Sequence, residues 1–228
     1  MNPVSPHPAP VAGPVFVRLL ARIGGVNAGA GPPLAATLAQ WIDWPRAVVL
    51  AGALDGRLPD DEAATPDTDG DDIATACAQA RAQLRGEILG DPLLAPAAAP
   101  RDEAAIDFAP LRARYVAHQR AALVATGRLR GRLRERCAGC GPLARLAELD
   151  AAMEQILAPR EHALLSGVPD LLAGHFEQSR QRAQATTPGA WLARVLHDMR
   201  ELLLAELDLR FSSVDALLSA LAPADPTP

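Results

Sequence analysis

The chain has little of what a β-protein needs. It holds 3 Trp, 4 Phe and 1 Tyr in 228 residues, while Ala and Leu dominate. Those two residues lose little side-chain freedom in a helix, so helix is favoured before any pattern is examined. No apolar run approaches the roughly 20 residues that span a bilayer; the longest, Ala47 to Leu54, has eight. Lysine is missing altogether, and all 22 basic residues are Arg, a bias we read as codon composition and not as chemistry. Three Cys are too few for a disulfide framework and fit a reducing compartment. A formal charge of −5 argues against a protein that coats nucleic acid by bulk electrostatics. The opening MNPVSPHPAPVAGP puts Pro where a signal peptide needs a charged stretch and then an apolar one. The expectation is a cytoplasmic protein with no membrane insertion.

Helical periodicity organises the rest. Residues 1–13 are Pro-rich and expected to be disordered, and 14–54 read as a region of short helices. These run from Pro14 to Ile23, stopped by Gly24 and Gly25, from Pro33 to Trp41, and from Pro45 to Leu54. Trp41 and Trp44 are expected to pack at the corner between the last two. Residues 55–72 carry eight acids against the single Arg57, with Pro59 and Pro66 among them, and read as a flexible acidic linker. Ile73 to Leu89 reads as a helix, and 90–104 as a second linker rich in Pro and Ala.

The strongest pattern spans 105–221. Phe108, Leu111, Tyr115, His118, Ala122, Leu129 and Leu133 mark a helix of about 30 residues from Ile106. Cys137-Ala-Gly-Cys-Gly-Pro142 breaks it. A helix from Pro142 follows, interrupted at Pro159 and kinked at Pro169. Thr187-Pro188 opens another, and Ser212-Ser-Val-Asp215 announces a final short helix ending near Leu221. The tail, 222–228, is expected to be disordered. The expected fold is all-α: a multi-helix bundle with long antiparallel, coiled-coil-like helices.

Each motif that might carry chemistry fails a requirement. Cys137 and Cys140 form a CxxC where a helix ends, whereas a redox pair needs the N-terminal end of a helix dipole. Zinc would need two further ligands, and there is no second CxxC or HxxxH, although His118 or His162 could approach in the fold. Asp67-Thr-Asp-Gly-Asp-Asp72 loosely resembles a calcium loop, but its Gly is fourth instead of sixth and Ala78 stands where the bidentate Glu belongs. Glu161-His162 is not a zinc-protease motif, because position 165 is Leu. Ser166 and Ser179 lack nucleophile-elbow surroundings. Gly24-Gly25-Val-Asn-Ala-Gly29 lacks the Lys and the strand of a phosphate loop. His118, His162, His175 and His197 are scattered one to a helix, and Asp198, Arg200, Glu201, Glu206, Asp208 and Arg210 read as a charged helix surface. No catalytic, cofactor-binding or metal-binding residue is assigned.

One charged feature remains. Arg128, Arg130, Arg132, Arg134 and Arg136 are five Arg in nine residues, the candidate interaction surface of the chain. Three readings apply, in this order: a solvated helix face paired in part with Glu148, Asp150 and Glu154; a cover formed by the acidic 55–72 stretch or by an acidic partner that displaces it; and a nucleic-acid contact, weakened by the missing aromatics.

The C-terminal half also carries a family likeness. Leu146-Ala-Glu-Leu-Asp-Ala-Ala-Met153, Arg160-Glu-His-Ala-Leu-Leu-Ser-Gly-Val-Pro169 and Leu202-Leu-Leu-Ala-Glu-Leu-Asp-Leu-Arg210 resemble the bacterial domain of unknown function 3348. Phe16-Val-Arg-Leu-Leu-Ala-Arg22 and Gln40-Trp-Ile-Asp-Trp44 match its opening in the same order, so the likeness spans about 14–221. It brings no activity, cofactor or catalytic residue. Members are typically encoded beside a stator-like proton channel and a peptidoglycan-binding protein, a gene set similar to type III Zorya anti-phage defence systems. The resemblance thus implies a non-enzymatic, cytosolic accessory or scaffold protein whose partner is a proton-driven stator-like motor or another defence subunit. The alternative from the residues is a nucleic-acid-binding effector subunit using Arg128 to Arg136.

Overall fold

A computed structural model describes residues 13–25, 41–55, 70–95, 106–186 and 191–222. The expectations for residues 1–12, 26–40, 56–69, 96–105, 187–190 and 223–228 lie outside the described residues; they include the Pro33 helix, most of the acidic stretch and the Thr187-Pro188 cap. Among the described residues every regular element is helical. The elements are α1 (Val15–Gly24), α2 (Trp44–Asp55), α3 (Gly70–Leu89), a 3-10 turn (Pro92–Leu94), α4 (Phe108–Gly139), α5 (Gly141–Ser166), α6 (Val168–Thr186) and α7 (Trp191–Leu221).

Local chemistry sets the ends. Gly25 closes α1 in the left-handed region (φ 63°), and its N–H donates to the Ala21 carbonyl. Asp43 caps α2 by accepting from the Arg46 N–H at 3.0 Å, and Asp107 caps α4 by accepting from the Ala109 N–H at 3.0 Å. α4 runs 32 residues and stops at Cys140, inside the expected Cys-Ala-Gly-Cys break.

Several joins differ from the sequence reading. α3 starts at Gly70, three residues earlier than Ile73. α5 passes through Pro159 without interruption. Pro159 is exposed, so water can take the carbonyl that its missing N–H leaves unbonded. The real break is Gly167, whose N–H returns to the Leu164 carbonyl, and Pro169 falls in the first turn of α6, where no N–H is needed. There is no separate final helix, because α7 continues to Leu221. The Ser212 hydroxyl donates to the Leu209 carbonyl at 2.6 Å instead of capping a new start, and Phe211, Val214 and Leu217 keep the same stripe buried. Trp44 is 81% exposed and α2 buries only Ala53; the Pro33 helix that would form the other side of the corner lies outside the described residues.

α7 is the axis of the assembly. It packs against α1, α3, α4, α6 and the 3-10 turn, while α4 also carries α5, and α2 lies outermost on α5. Contacts step backward along α4 as the chain advances: Arg130 meets Asp150, Gln119 meets Leu165, and Arg112 meets Asp170. Val195, Met199, Leu202, Leu207, Phe211 and Leu217 of α7 form the centre of the core with Tyr115 and Leu133 of α4 and Leu172 of α6. Phe176 joins α6 to the rest through Phe108 at 5.2 Å and, edge-on, Trp191 at 5.1 Å.

Two substitutions separate core from surface. Leu202→Ala opens a cavity in the axis and should cost about 2–5 kcal/mol. Gly131→Ala, where a Cβ meets nothing within 4 Å, should gain up to about 1 kcal/mol from helix propensity. Urea unfolding at neutral pH measures both, and unchanged midpoints in the Leu202 variant would contradict the burial assigned to α7.

Candidate functional site

The five arginines of the candidate interaction surface spread around α4 instead of forming one stripe, as helical geometry requires. Positions 130 and 134 lie on one side of α4, and 128, 132 and 136 on another, because each residue advances about 100°. Arg130 grips Asp150 with two nitrogens, Nε to Oδ2 at 2.8 Å and Nη2 to Oδ1 at 2.7 Å, and reaches Glu154 Oε1 at 3.4 Å. Burial alone would lower its pKa, but the hydrogen bonds and charge of Asp150 outweigh that and push it up. Arg134 binds Glu154 as well. Arg128 and Arg132 are exposed and Arg136 is half-buried. Two of the five are therefore part of the α4–α5 contact.

The interior holds three carboxylates that the sequence reading missed. Asp91 follows Gly90 after α3, in what reads as a Pro/Ala linker, yet its side chain is 0% exposed. Oδ1 accepts from the Leu93 N–H at 2.9 Å and caps the 3-10 turn. Oδ2 accepts from His118 Nε2 at 2.7 Å and from Arg114 Nε. Arg114 and His118 are one turn apart on α4, which is why both reach the same oxygen. Burial pushes the Asp91 carboxyl up, but the bonds from Arg114, His118 and the Leu93 N–H together hold it below the usual carboxylate range. A carboxylate only accepts, so His118 Nε2 carries the proton.

Asp198 and Glu206 occupy what reads as a charged surface of α7, and both are buried. Asp198 Oδ1 accepts from Arg22 Nη2 at 2.8 Å and Oδ2 pairs with His175 Nε2 at 3.0 Å, so one carboxylate ties α1 and α6 to α7. Glu206 Oε1 accepts from Arg210 Nε at 3.0 Å and Nη2 at 2.9 Å; Oε2 accepts from Gln119 Nε2 at 2.9 Å and from the Tyr115 hydroxyl at 3.3 Å. Arg210 continues to Glu161 Oε1 at 3.0 Å, and Gln119 to the Leu165 carbonyl at 3.2 Å, which brings in α5. Burial first, and the Glu206 charge second, push the Tyr115 phenol well above its ordinary value, so it stays a donor. The i,i+4 pairing of Glu206 with Arg210 was visible in sequence. The partners 87 and 91 residues away were not.

What this arrangement can do chemically is narrow. Among the described residues there are two His–carboxylate pairs, and in each the imidazole Nε2 faces the carboxylate. The cleft beside His118, about 590 Å³, is lined by Gln83, Gly86, Glu87, Gly90, Ala117 and Ala121 with Asp91, Pro92 and Arg114, and offers no hydroxyl or thiol. A second cleft, about 270 Å³, lies over Gln119 and Arg210 and includes Arg112, Arg120, His162 and Ser166. Its hydroxyl, on Ser166, donates to the Ala163 carbonyl of its own helix at 3.0 Å. Cys137 is buried at the end of α4, and burial, then the neighbouring Cys140, pushes its thiol up, away from the reactive thiolate. Among the described residues no three His, Cys, Asp or Glu side chains are grouped to hold a metal ion. The buried charges bind helices to one another.

The family model described as Protein of unknown function (DUF3348) matches residues 1–223, and the chain belongs to that family. The match is wider than the 14–221 span of the motifs. No curated protein and no solved structure matches the chain.

The Asp91 clamp has a pH signature. Its folded pKa lies below the unfolded one, so the unfolded chain takes up the proton first as pH falls. The clamp's stabilisation is complete above an unfolded carboxylate value of about 3.9 and disappears as pH drops through the folded value. Asp91→Asn should lose about 1–3 kcal/mol at neutral pH and show a shallower loss of stability from pH 5 to pH 3, measured by urea unfolding across that range. A variant with the stability and acid sensitivity of the parent would show that Asp91 clamps nothing.

Proposed function

We propose that this chain is a non-enzymatic helical accessory subunit, a scaffold that works by binding protein. We further propose that its partner is a proton-driven, stator-like membrane motor in anti-phage defence, met on the cytosolic side. The observation that carries the first part is where the apolar side chains lie. Inside, each buried carboxylate is committed to two or more helices. Outside, α2 buries only Ala53 and leaves Trp44, Val48, Val49 and Leu54 exposed. Large apolar groups gathered on one outer helix mark a surface for another protein. The motor as partner follows from the gene neighbourhood that the family resemblance implies.

No helix among the described residues is long and apolar enough to cross a membrane, so contact with a membrane motor would run through that motor's own extramembrane segments. The rival, a nucleic-acid-binding effector along Arg128–Arg136, is weakened because Arg130 and Arg134 are already bound to Asp150 and Glu154.

Co-purification from a strain carrying the intact gene neighbourhood tests the reading. The tagged chain should bring down the stator-like channel subunit, and its deletion should abolish phage resistance. A chain that elutes without that subunit, in a strain whose resistance survives deletion, would refute the proposal.

A further inference from the structure

We propose that the outward ridge of α4, from Arg120 to Gly131, is a docking face for an acidic amphipathic helix of another protein. The inference rests on the reading of this chain as an interaction subunit and gives that reading a surface. The inner stripe of α4, Leu111, Tyr115, His118, Ala122, Leu129 and Leu133, is buried against its neighbours. At 100° per residue the side directly opposite carries Arg120, Val124, Gly127 and Gly131, with Leu123 and Arg128 at its edges.

Three observations on this ridge point the same way. Leu123 is 46% exposed and Val124 51%, adjacent apolar side chains on an otherwise Arg-rich helix. A Cβ added to Gly127 or Gly131 would meet nothing within 4 Å, so the packing of the described residues does not use that space. The charges are sorted. Arg112, Arg114, Arg130 and Arg134 each hold a carboxylate, respectively Asp170, Asp91, Asp150 and Glu154. Arg120 and Arg128 form no ion pair among the described residues, and the acid on this side, Glu135, lies a turn beyond Gly131.

The occupant follows from that chemistry. The stretch from Arg120 to Gly131 is about 16 Å, three helical turns, the length over which a docked helix places its anchors. A partner helix with an apolar stripe covers Leu123 and Val124, and its Asp or Glu residues meet Arg120 and Arg128. A nucleic acid would satisfy the arginines but set phosphates against Leu123 and Val124, and the ridge offers no aromatic ring for bases to stack on.

The test uses the full chain and a fluorescent synthetic peptide of about 20 residues, long enough for roughly 30 Å of helix, with Leu along one face and Glu on the others. Fluorescence anisotropy should show saturable micromolar binding that weakens as salt is raised. R120E/R128E should weaken it at least roughly tenfold. Val124→Glu should do the same, and Arg194→Glu, on the exposed side of α7, should leave it unchanged. Far-UV circular dichroism confirms that each variant keeps its helices. Absence of saturable binding, equal binding by the ridge variants, or tighter binding of a DNA duplex lost through the same reversals would each overturn the inference. Co-purification of the stator-like subunit unaffected by the ridge variants would place that contact elsewhere and likewise refute the ridge as its docking face. Peptide binding in a chain that never captures that subunit would remove the motor as partner and uphold the ridge.

Discussion

Residues 202–207 of α7 are all buried, so this stretch of helix has no face left for water. Glu206 lies within it at 2% exposure, and a carboxylate there must find every hydrogen bond inside the protein. It does so by drawing on α4 through Tyr115 and Gln119, on its own helix through Arg210, and through those partners on α5. A buried ion pair need not make a fold more stable than an apolar substitute would. It does penalise alternatives. Sliding α4 along α7 by a turn would strip Glu206 of two donors while leaving the leucines around it equally content with new leucine neighbours.

The same logic places the other elements. Asp198 fixes α1 and α6 on α7 through Arg22 and His175, and Asp91 fixes the 3-10 turn on α4 through Arg114 and His118. Arg200 adds a bond from α7 to the Leu94 carbonyl of that turn at 2.9 Å. With the interior charges spent on helix register, the groups left for recognition lie on outer surfaces: the exposed apolar side of α2 and the Arg-flanked ridge of α4. The function proposed for the chain therefore lives in its periphery, and the core serves by fixing the register of the helices beneath it.

The helices were legible in sequence because their evidence is local. Spacing gave α4 to within two residues at its start, and the Cys-Ala-Gly-Cys stretch marked its end. Joins were less legible. Pro159 reads as a break, yet an exposed Pro within a long helix costs only what water cannot repay, and the neighbouring Gly167 supplied the true turn. Ser212 reads as a cap, but its hydroxyl has a carbonyl one turn back to bond, and the apolar stripe carried the helix past it. The clamps were illegible for a different reason. Asp91 and His118 are 27 residues apart, and Asp198 and His175 are 23. Periodicity says which side of a helix is apolar, not which distant side chain will face a lone acid there. One local signal did exist. Leu202-Leu-Leu-Ala-Glu-Leu207 has too few polar residues for a helix with a wet side, which marks Glu206 as buried.

α7 is the buried axis on which the other helices depend. Native-state hydrogen exchange tests it most directly, because amides of an axis exchange only when the whole protein unfolds. Amides from Met199 to Phe211 should exchange slowest, with an opening free energy equal to that of global unfolding, while amides of α2 should exchange far faster. Exchange in α7 as fast as in α2, or α4 protected while α7 opens locally, would contradict it.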